Sequence, residues 1–347
     1  MNVPATLMGL VEHYSPSGHE NEAVHWLVER MLSMGYDSAF VDEAGNAVGI
    51  RGAEGRQILL LGHIDTVPGE IPLRVEKDIL YGRGAVDAKG PLACFCDAVA
   101  QVAVPAGWQV VVIGAVGEET DSRGARFIKD RYRPDLAIIG EPNHWQRVAL
   151  GYKGSALAEI RTLTWQQHSA GAGQTASEQA FAIWQAICSF AQTYNADKPK
   201  LFEQVQPSLL EIQSGQDGFE QWASLKVNAR LPLDLPPESW YAELAHLVDD
   251  AAITPLGKAI PAWGCDKNTA LVRAFLASIR AEGEVPSFVY KTGTADLNIV
   301  APVWGCPALV YGPGDSALDH TPDEWLSLKE YAQAVEVLKG ALQRLMV

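Results

Sequence analysis

Apolar residues recur along this chain in two rhythms, and the switch between them marks its organisation. Val24, Leu27, Val28, Met31 and Leu32 fall at helical spacing until Gly35 ends the run, and Ser17-x-x-Glu20 ahead of them has the form of a capping box. Three later stretches, Gln57–Gly62, Gln109–Val116 and Asp135–Gly140, are apolar at most positions. Continuous apolarity over a strand's length predicts strands buried on both faces, and so a largely parallel sheet covered by helices. Lys89–Val104, between the first two, has the composition of such a helix.

Near residue 152 the rhythm changes. Ala156–Thr164, Ser208–Gln213 and Ala223–Leu231 alternate with period two, and helices are expected at about 177–193 and, after Pro236-Pro237, about 238–250. Two helices with three or four half-exposed strands make a small α+β layer. Buried-strand character then returns. Asp266 is placed to cap a helix carrying Leu271, Val272, Phe275, Leu276 and Ile279, followed by the strand Pro307–Tyr311. A closing helix from about Asp323 puts Val335, Leu338 and Leu342 on one face. The expected organisation is one α/β domain, residues 1–152 and 264–347, interrupted by an α+β domain at 153–263. There is no internal repeat.

Composition narrows the class. The chain has 347 residues, 48% of them hydrophobic, with a formal charge of −15, and its mean hydropathy is −0.02. That describes a globular protein rather than a disordered one. No apolar run approaches the roughly 20 residues that span a bilayer, so no membrane association is expected. The start, Met-Asn-Val-Pro, has neither a basic leader nor an apolar core, which argues for the cytoplasm. A pI near 4.9 repels phosphate backbones and argues against nucleic acid as a partner. Five scattered cysteines, without zinc-finger or redox spacing, read as buried thiols of a reducing compartment.

The polar residues that stand out follow the buried strands. Gly62-His63-Ile64-Asp65 ends the first, Gly117-Glu118-Glu119 the second and Gly140-Glu141-Pro142 the third. Asp319-His320 comes soon after Pro307–Tyr311, and Asp87 lies in a glycine-rich loop before the helix at Lys89. In open α/β sheets the ligand crevice lies at the carboxyl ends of the strands. Alone, a His-x-Asp reads as a structural pair and a Glu-Glu as a solvated loop. Together, two histidines and five carboxylates would converge, and such a cluster stays ionised only with cations between its members. Imidazole and carboxylate without thiolate suit zinc or a similar divalent ion in a hydrolytic site.

GHIDTVPG (62–69), LYGRGAVDAKGP (80–91), GEET (117–120), GEPN (140–143) and YGPGDSALDHTPDEW (311–325) resemble the di-zinc amidohydrolase and exopeptidase family that includes acetylornithine deacetylase, succinyl-diaminopimelate desuccinylase and aminoacylase. The resemblance runs over nearly the whole chain. GRGAVDAKGP, GYKGS (151–155) and YGPGDS-x-x-DHT are most similar to the amino-group-carrier-protein lysine/ornithine hydrolases of that family. It implies a metallopeptidase-like catalytic domain with an inserted lid and dimerisation domain. It also implies two Zn2+ per subunit, Co2+ being an alternative: one held by His63 and Glu141, one by Glu119 and His320, with Asp87 bridging.

Asp65 matches the residue that orients His63, Glu118 the general base, and His168 a lid histidine that reaches the partner subunit's site in a homodimer. Arg230 matches a position that binds a substrate carboxylate, and Gly293-Thr294 a substrate loop in which Ala295 replaces the usual serine. For His168 the other reading is a surface loop, and for Arg230 a strand-face ion pair. A cis peptide between Asp87 and Ala88 is implied as well. The activity implied is amide hydrolysis that frees lysine or ornithine from the C-terminal glutamate of an acidic carrier protein, in lysine or arginine biosynthesis. Deacylation of a small acylated amino acid (acetylornithine, acetyl-lysine or succinyl-diaminopimelate) is the alternative, and dipeptide hydrolysis comes third.

Overall fold

Trp108–Ala115, Arg56–His63, Leu136–Gly140 and Ala308–Val310 lie side by side in that order, all parallel, in the computed structural model of the chain. The structure describes residues 3–166, 168, 173–248 and 250–347. Every position of these strands from Ile58 to Leu61 and from Val110 to Ile113 is buried, which is why their sequences do not alternate. Antiparallel strands flank the parallel set. Ala47–Arg51 and then Ser38–Val41 extend one side, and Arg147–Tyr152 pairs with Ala308–Val310 on the other. The helices Ala5–Glu12, Asn21–Ser33, Lys89–Ala100, Ala270–Ala281 and Leu328–Leu345 contribute Leu7, Leu27, Leu92, Phe275 and Leu338 to one apolar core. This first unit comprises the chain up to Gly151, Cys265–Val289 and Ala295–Val347.

One detail of its core sets the place of the chemistry. Gly62, Gly114 and Gly140 stand abreast in the register of three adjacent parallel strands. A Cβ at any of them would press on the helix Lys89–Ala100: on Leu92 at 3.2 Å from Gly62 and 3.1 Å from Gly114, and on Phe95 at 2.9 Å from Gly140. Their bare backbone lets that helix settle directly on the sheet. Each glycine lies within four residues of a candidate ligand or of the base: His63, Glu118 and Glu141.

The second unit, Tyr152–Gly264 with Tyr290–Thr294, is a four-stranded antiparallel sheet in the order Gln206–Gln216, Glu220–Leu231, Gly154–Trp165, Ala252–Ile260. Helices Ala176–Asn195 and Pro237–Leu247 bury Ile187, Trp240 and Leu244 against Ala158, Ile160, Leu225 and Val227. The alternation of its strands follows from this one-sided burial. Among the described residues no helix is long and apolar enough to cross a membrane.

Several local expectations give way to longer-range contacts. Ser17 and Glu20 do not form a capping box: Glu20 is the N-cap of Asn21–Ser33 without a side-chain bond, Ser17 donates to Asp65 at 2.6 Å, and Glu20 pairs with Arg123 at 2.7 Å. Asp266 does not cap Ala270–Ala281, because Thr269 does. The closing helix starts at Leu328, where Ser327 accepts from the Glu330 amide. Cys94 and Cys96 are buried as expected, but Cys188 is exposed on a helix and Cys265 and Cys306 are half-buried.

Candidate metal centre

Three of the four parallel strands end in chemistry. His63 is the last residue of its strand, Glu141 immediately follows Leu136–Gly140, and Glu118 and Glu119 sit just beyond Trp108–Ala115 in a turn. Gly117 makes that turn possible: its φ of 76° is open to glycine, and its carbonyl accepts from the amides of Thr120, Asp121 and Ser122. Asp87 comes from the loop leading to Lys89–Ala100, and His320 from the loop after Ala308–Val310.

The Asp87 carboxylate lies between the two histidines. Its Oδ1 is 3.2 Å from His63 Nε2 and its Oδ2 is 3.0 Å from His320 Nε2, which is also 3.0 Å from Glu119 Oε2. Two ligand sets with mutual distances inside 4.8 Å result: His63, Asp87 and Glu141, and Asp87, Glu119 and His320. They share Asp87, as a bridging ligand requires. A third set, His63 with Glu118 and Glu119, meets the same distance test and makes Glu118 a rival ligand.

The electrostatics fit a cation site. Burial pushes the Glu118 and Glu141 carboxyls well above the usual range, and neighbouring acids push them further: Glu141, Asp296 and Glu119 act on the first, and Asp87, Asp319 and Asp296 on the second. Burial would lower His63, but Asp65 and Asp87 overcome it and hold the imidazole well above its ordinary value. His320, bonded to Asp87 and Glu119, is raised to about 10. For Asp87 burial works upward, yet His320 and His63 hold it below the ordinary carboxylate value. The acids thus draw positive charge into their midst. Imidazole nitrogens and carboxylate oxygens are the donors that zinc or cobalt would accept in its place.

Asp65 does more than orient an imidazole. His63 Nδ1 lies 3.0 Å from the Asp65 carbonyl and 3.5 Å from its Oδ1, while the carboxylate also accepts from the amides of Glu118 at 3.0 Å and Glu119 at 3.1 Å. One side chain therefore ties the strand-end histidine to the acidic turn. Glu324, fully buried, does the same for the Asp87 loop. It accepts from the amides of Gly84, Val86 and Asp87 and pairs with Arg83 at 3.0 Å. Sequence reasoning gave Glu324 no role. The signal for it was an acid inside the motif that also holds His320, a signal indistinguishable from a surface charge. The Asp87–Ala88 peptide is cis, as the resemblance implies.

The remaining predicted residues belong to the second unit. Arg230 is half-buried on the face of the second unit's sheet opposite its helices, where its guanidinium donates to Thr294 Oγ1 at 3.4 Å; Gly293 is adjacent. Burial lowers the Arg230 pKa. His168 is exposed, and residues 167 and 169–172 around it lie outside the described residues.

Comparison with known proteins adds to this geometry. The sequence profile of peptidase family M20/M25/M40 matches residues 59–344. A protein of Deinococcus radiodurans named [LysW]-lysine hydrolase is 43% identical, over 95% of this chain and 93% of its own length. A Thermococcus kodakarensis protein, named putative [LysW]-lysine/[LysW]-ornithine hydrolase, is 41% identical over 98% and 91%. Among solved structures, a dinuclear metal-binding peptidase of the M20 family from Bacillus subtilis superimposes with a TM-score of 0.69 at 12% identity, covering 99% of this chain and 97% of that one.

Proposed function

Because the chain belongs to peptidase family M20/M25/M40, we propose that it is a metal-dependent amide hydrolase that frees lysine or ornithine from the C-terminal glutamate of a LysW-type carrier protein. The observation that carries this reading is the 43% identity to a [LysW]-lysine hydrolase over nearly both full lengths. The cluster of His63, Asp87, Glu118, Glu119, Glu141 and His320 supports it as chemistry.

In this reading His63, Asp87 and Glu141 hold one divalent ion and Asp87, Glu119 and His320 the other, zinc by preference and cobalt as an alternative. When bound, such ions supply Lewis acidity to a water and a carbonyl oxygen and draw neighbouring carboxylates toward their ionised form. Glu118 takes the proton of the attacking water, whose oxygen adds to the amide carbon. As the C–N bond breaks, Glu118 delivers that proton to the leaving amine. The half-buried, acid-crowded setting of Glu118, which raises its carboxyl above the ordinary range, suits a base that must hold a proton between these two transfers. Asp65 keeps His63 and the Glu118–Glu119 turn in register. Arg230, with Gly293 and Thr294, is assigned to a substrate carboxylate, and His168 to the neighbouring site of a homodimer. The setting proposed is the cytoplasm.

The test compares kcat/KM for lysine on its carrier, for acetyl-lysine and acetylornithine, and for simple dipeptides. Carrier-linked lysine or ornithine is expected to lead by at least about tenfold, equivalent to about 1.4 kcal/mol of transition-state binding. A lead by an acetylated amino acid replaces this reading with a small-molecule deacylase.

A further inference from the structure

Ser17-x-x-Glu20 has the spacing of a capping box, yet neither side chain serves the helix Asn21–Ser33 that follows it. The two grip opposite sides of one remote structure, the turn that carries Glu118 and Glu119. The Ser17 hydroxyl donates to Asp65 Oδ2 at 2.6 Å, and the same oxygen accepts from the Glu119 amide at 3.1 Å. The other carboxylate oxygen accepts from the Glu118 amide at 3.0 Å. Glu20, a buried acid, accepts from Arg123 Nη2 at 2.7 Å. That guanidinium lies against the first residue of the turn: a Cβ on Gly117 would stand 2.5 Å from Arg123 Nη1.

Both ends of this grip are themselves anchored. The Ser17 amide donates to the Thr66 carbonyl at 3.2 Å, the Thr66 amide to the Ser15 carbonyl at 3.0 Å and the Ser15 hydroxyl to the Ile64 carbonyl at 2.7 Å. The segment therefore lies along the chain that bears Asp65. Past Glu20 the helix buries Ala23, Val24, Leu27 and Met31 in the core. On the side of the turn, the Arg123 amide donates to Asp121 Oδ1 at 3.1 Å and the Gly124 amide to the Val116 carbonyl at 3.0 Å. Such support matters because Gly117, at φ 76°, is a joint that no side chain stiffens. A helix start ordinarily spends its serine and glutamate on its own amides. Here both are diverted to the acidic turn.

We propose that Ser17 and Glu20 are positioning residues, a two-point clamp by which the start of Asn21–Ser33 holds the Gly117–Glu119 turn and so sets Glu119 for its metal ion. Ser17 acts through Asp65 on the two amides, and Glu20 acts through Arg123 on Gly117. The inference rests on the two-ion reading above, and its two points differ in reach. Asp65 also fixes His63, so Ser17 bears on both ligand sets. Glu20 acts on the turn alone, and so on the set of Asp87, Glu119 and His320.

The experiment is calorimetric titration of the metal-stripped full-length protein with Zn2+, with His320→Ala identifying the binding phase that belongs to the second set. A single phase in the parent overturns the two-ion reading and the clamp with it; with two phases, the variants decide the clamp alone. Glu20→Ala and Arg123→Ala should each weaken the second phase by about tenfold, the low end of the scale on which outer partners of metal ligands act. The first phase should change by less than about twofold, and the double variant should be no worse than the worse single one. Ser17→Ala should weaken both phases by about tenfold, and in an Asp65→Ala background it should add nothing. Val24→Ala loosens the same helix without touching the clamp, and both phases should stay within about twofold of the parent. Weakening by Val24→Ala as great as by Glu20→Ala, equal loss of both phases in Glu20→Ala, unchanged binding in Ser17→Ala, or a further loss from Ser17→Ala on top of Asp65→Ala would each overturn the clamp. The readout is ion binding, so it stands whether or not the chain hydrolyses the substrate proposed for it.

Discussion

The two candidate ligand sets contain nearly the same chemistry in opposite settings. His63, Asp87 and Glu141 are 2%, 9% and 8% exposed, and two of them are fixed at strand ends by the apolar core. In the other set the His320 side chain is 53% exposed, in a loop residue with φ 60°. The first set is preformed: packing holds its members whether or not an ion is present. The second keeps the Asp87 and Glu119 side chains covered, the latter 8% exposed, and differs in His320, which comes from a loop and is open to solvent. A shared carboxylate, Asp87, joins a rigid site to an adaptable one.

The largest expected effect tests whether two sets suffice. Glu118→Gln keeps the shape of the side chain but cannot accept a proton. Turnover should fall by about three orders of magnitude or more while two ions per chain remain bound. Loss of an ion instead would make Glu118 a ligand, with His63 and Glu119, and dissolve the comparison.

Next comes the contrast between the histidines. His63→Ala in the metal-free protein leaves Asp65 and Asp87 buried beside an empty space, and breaking a buried pair typically costs about 3–5 kcal/mol. Thermal unfolding should drop by about 6 °C or more, whereas His320→Ala, which also leaves Asp87 and Glu119 without their partner but removes a half-exposed side chain, should lower it by no more than about half as much. Similar shifts for both would mean that the first set is no more preformed than the second.

The smallest effect concerns protons. His320 is raised to about 10 in the metal-free protein, so at neutral pH it carries a proton that a cation must displace. Affinity for the second ion should weaken as pH falls from 8 to 6, and titration in buffers of different ionisation enthalpy should show proton release. The sign reverses for the metal-free fold. A histidine whose pKa is raised on folding lends stability that is fully present below its unfolded value near 6.5. That stability is lost as pH rises through about 10, so metal-free protein should melt lower at pH 9 than at pH 6. Ion binding without proton release would show that His320 is neutral and that its carboxylate partners do not govern it.

Sequence and structure part company at a consistent kind of place. The parallel strands and the acids at their ends were legible because continuous apolarity is a local signal and the strand terminus follows from it. Ser17 and Glu20 misled for the opposite reason. Both have the residue types of a helix start, and local rules send them there, but Asp65 and Arg123 compete for them from 48 and 103 residues away. Glu324 escaped in the same way, serving amides some 240 positions earlier. The candidate ligands were readable from pattern and resemblance. The residues that hold them were hidden, because a hydrogen bond across the fold leaves no trace in spacing.

The abreast glycines at 62, 114 and 140 carry this one step further. Where the helix beginning at Lys89 rests on the sheet is decided by atoms that are missing, and that resting height carries Asp87, the one group common to both ligand sets. The gauge of the site is therefore cut in hydrocarbon rather than in ligands. A methyl group at Gly140, meeting the Phe95 ring at 2.9 Å, would act on the chemistry as a shim acts on a bearing. It would leave every donor chemically intact and alter the clearance between them. In a protein built this way, a change to the core beneath the candidate site is also a change to the site.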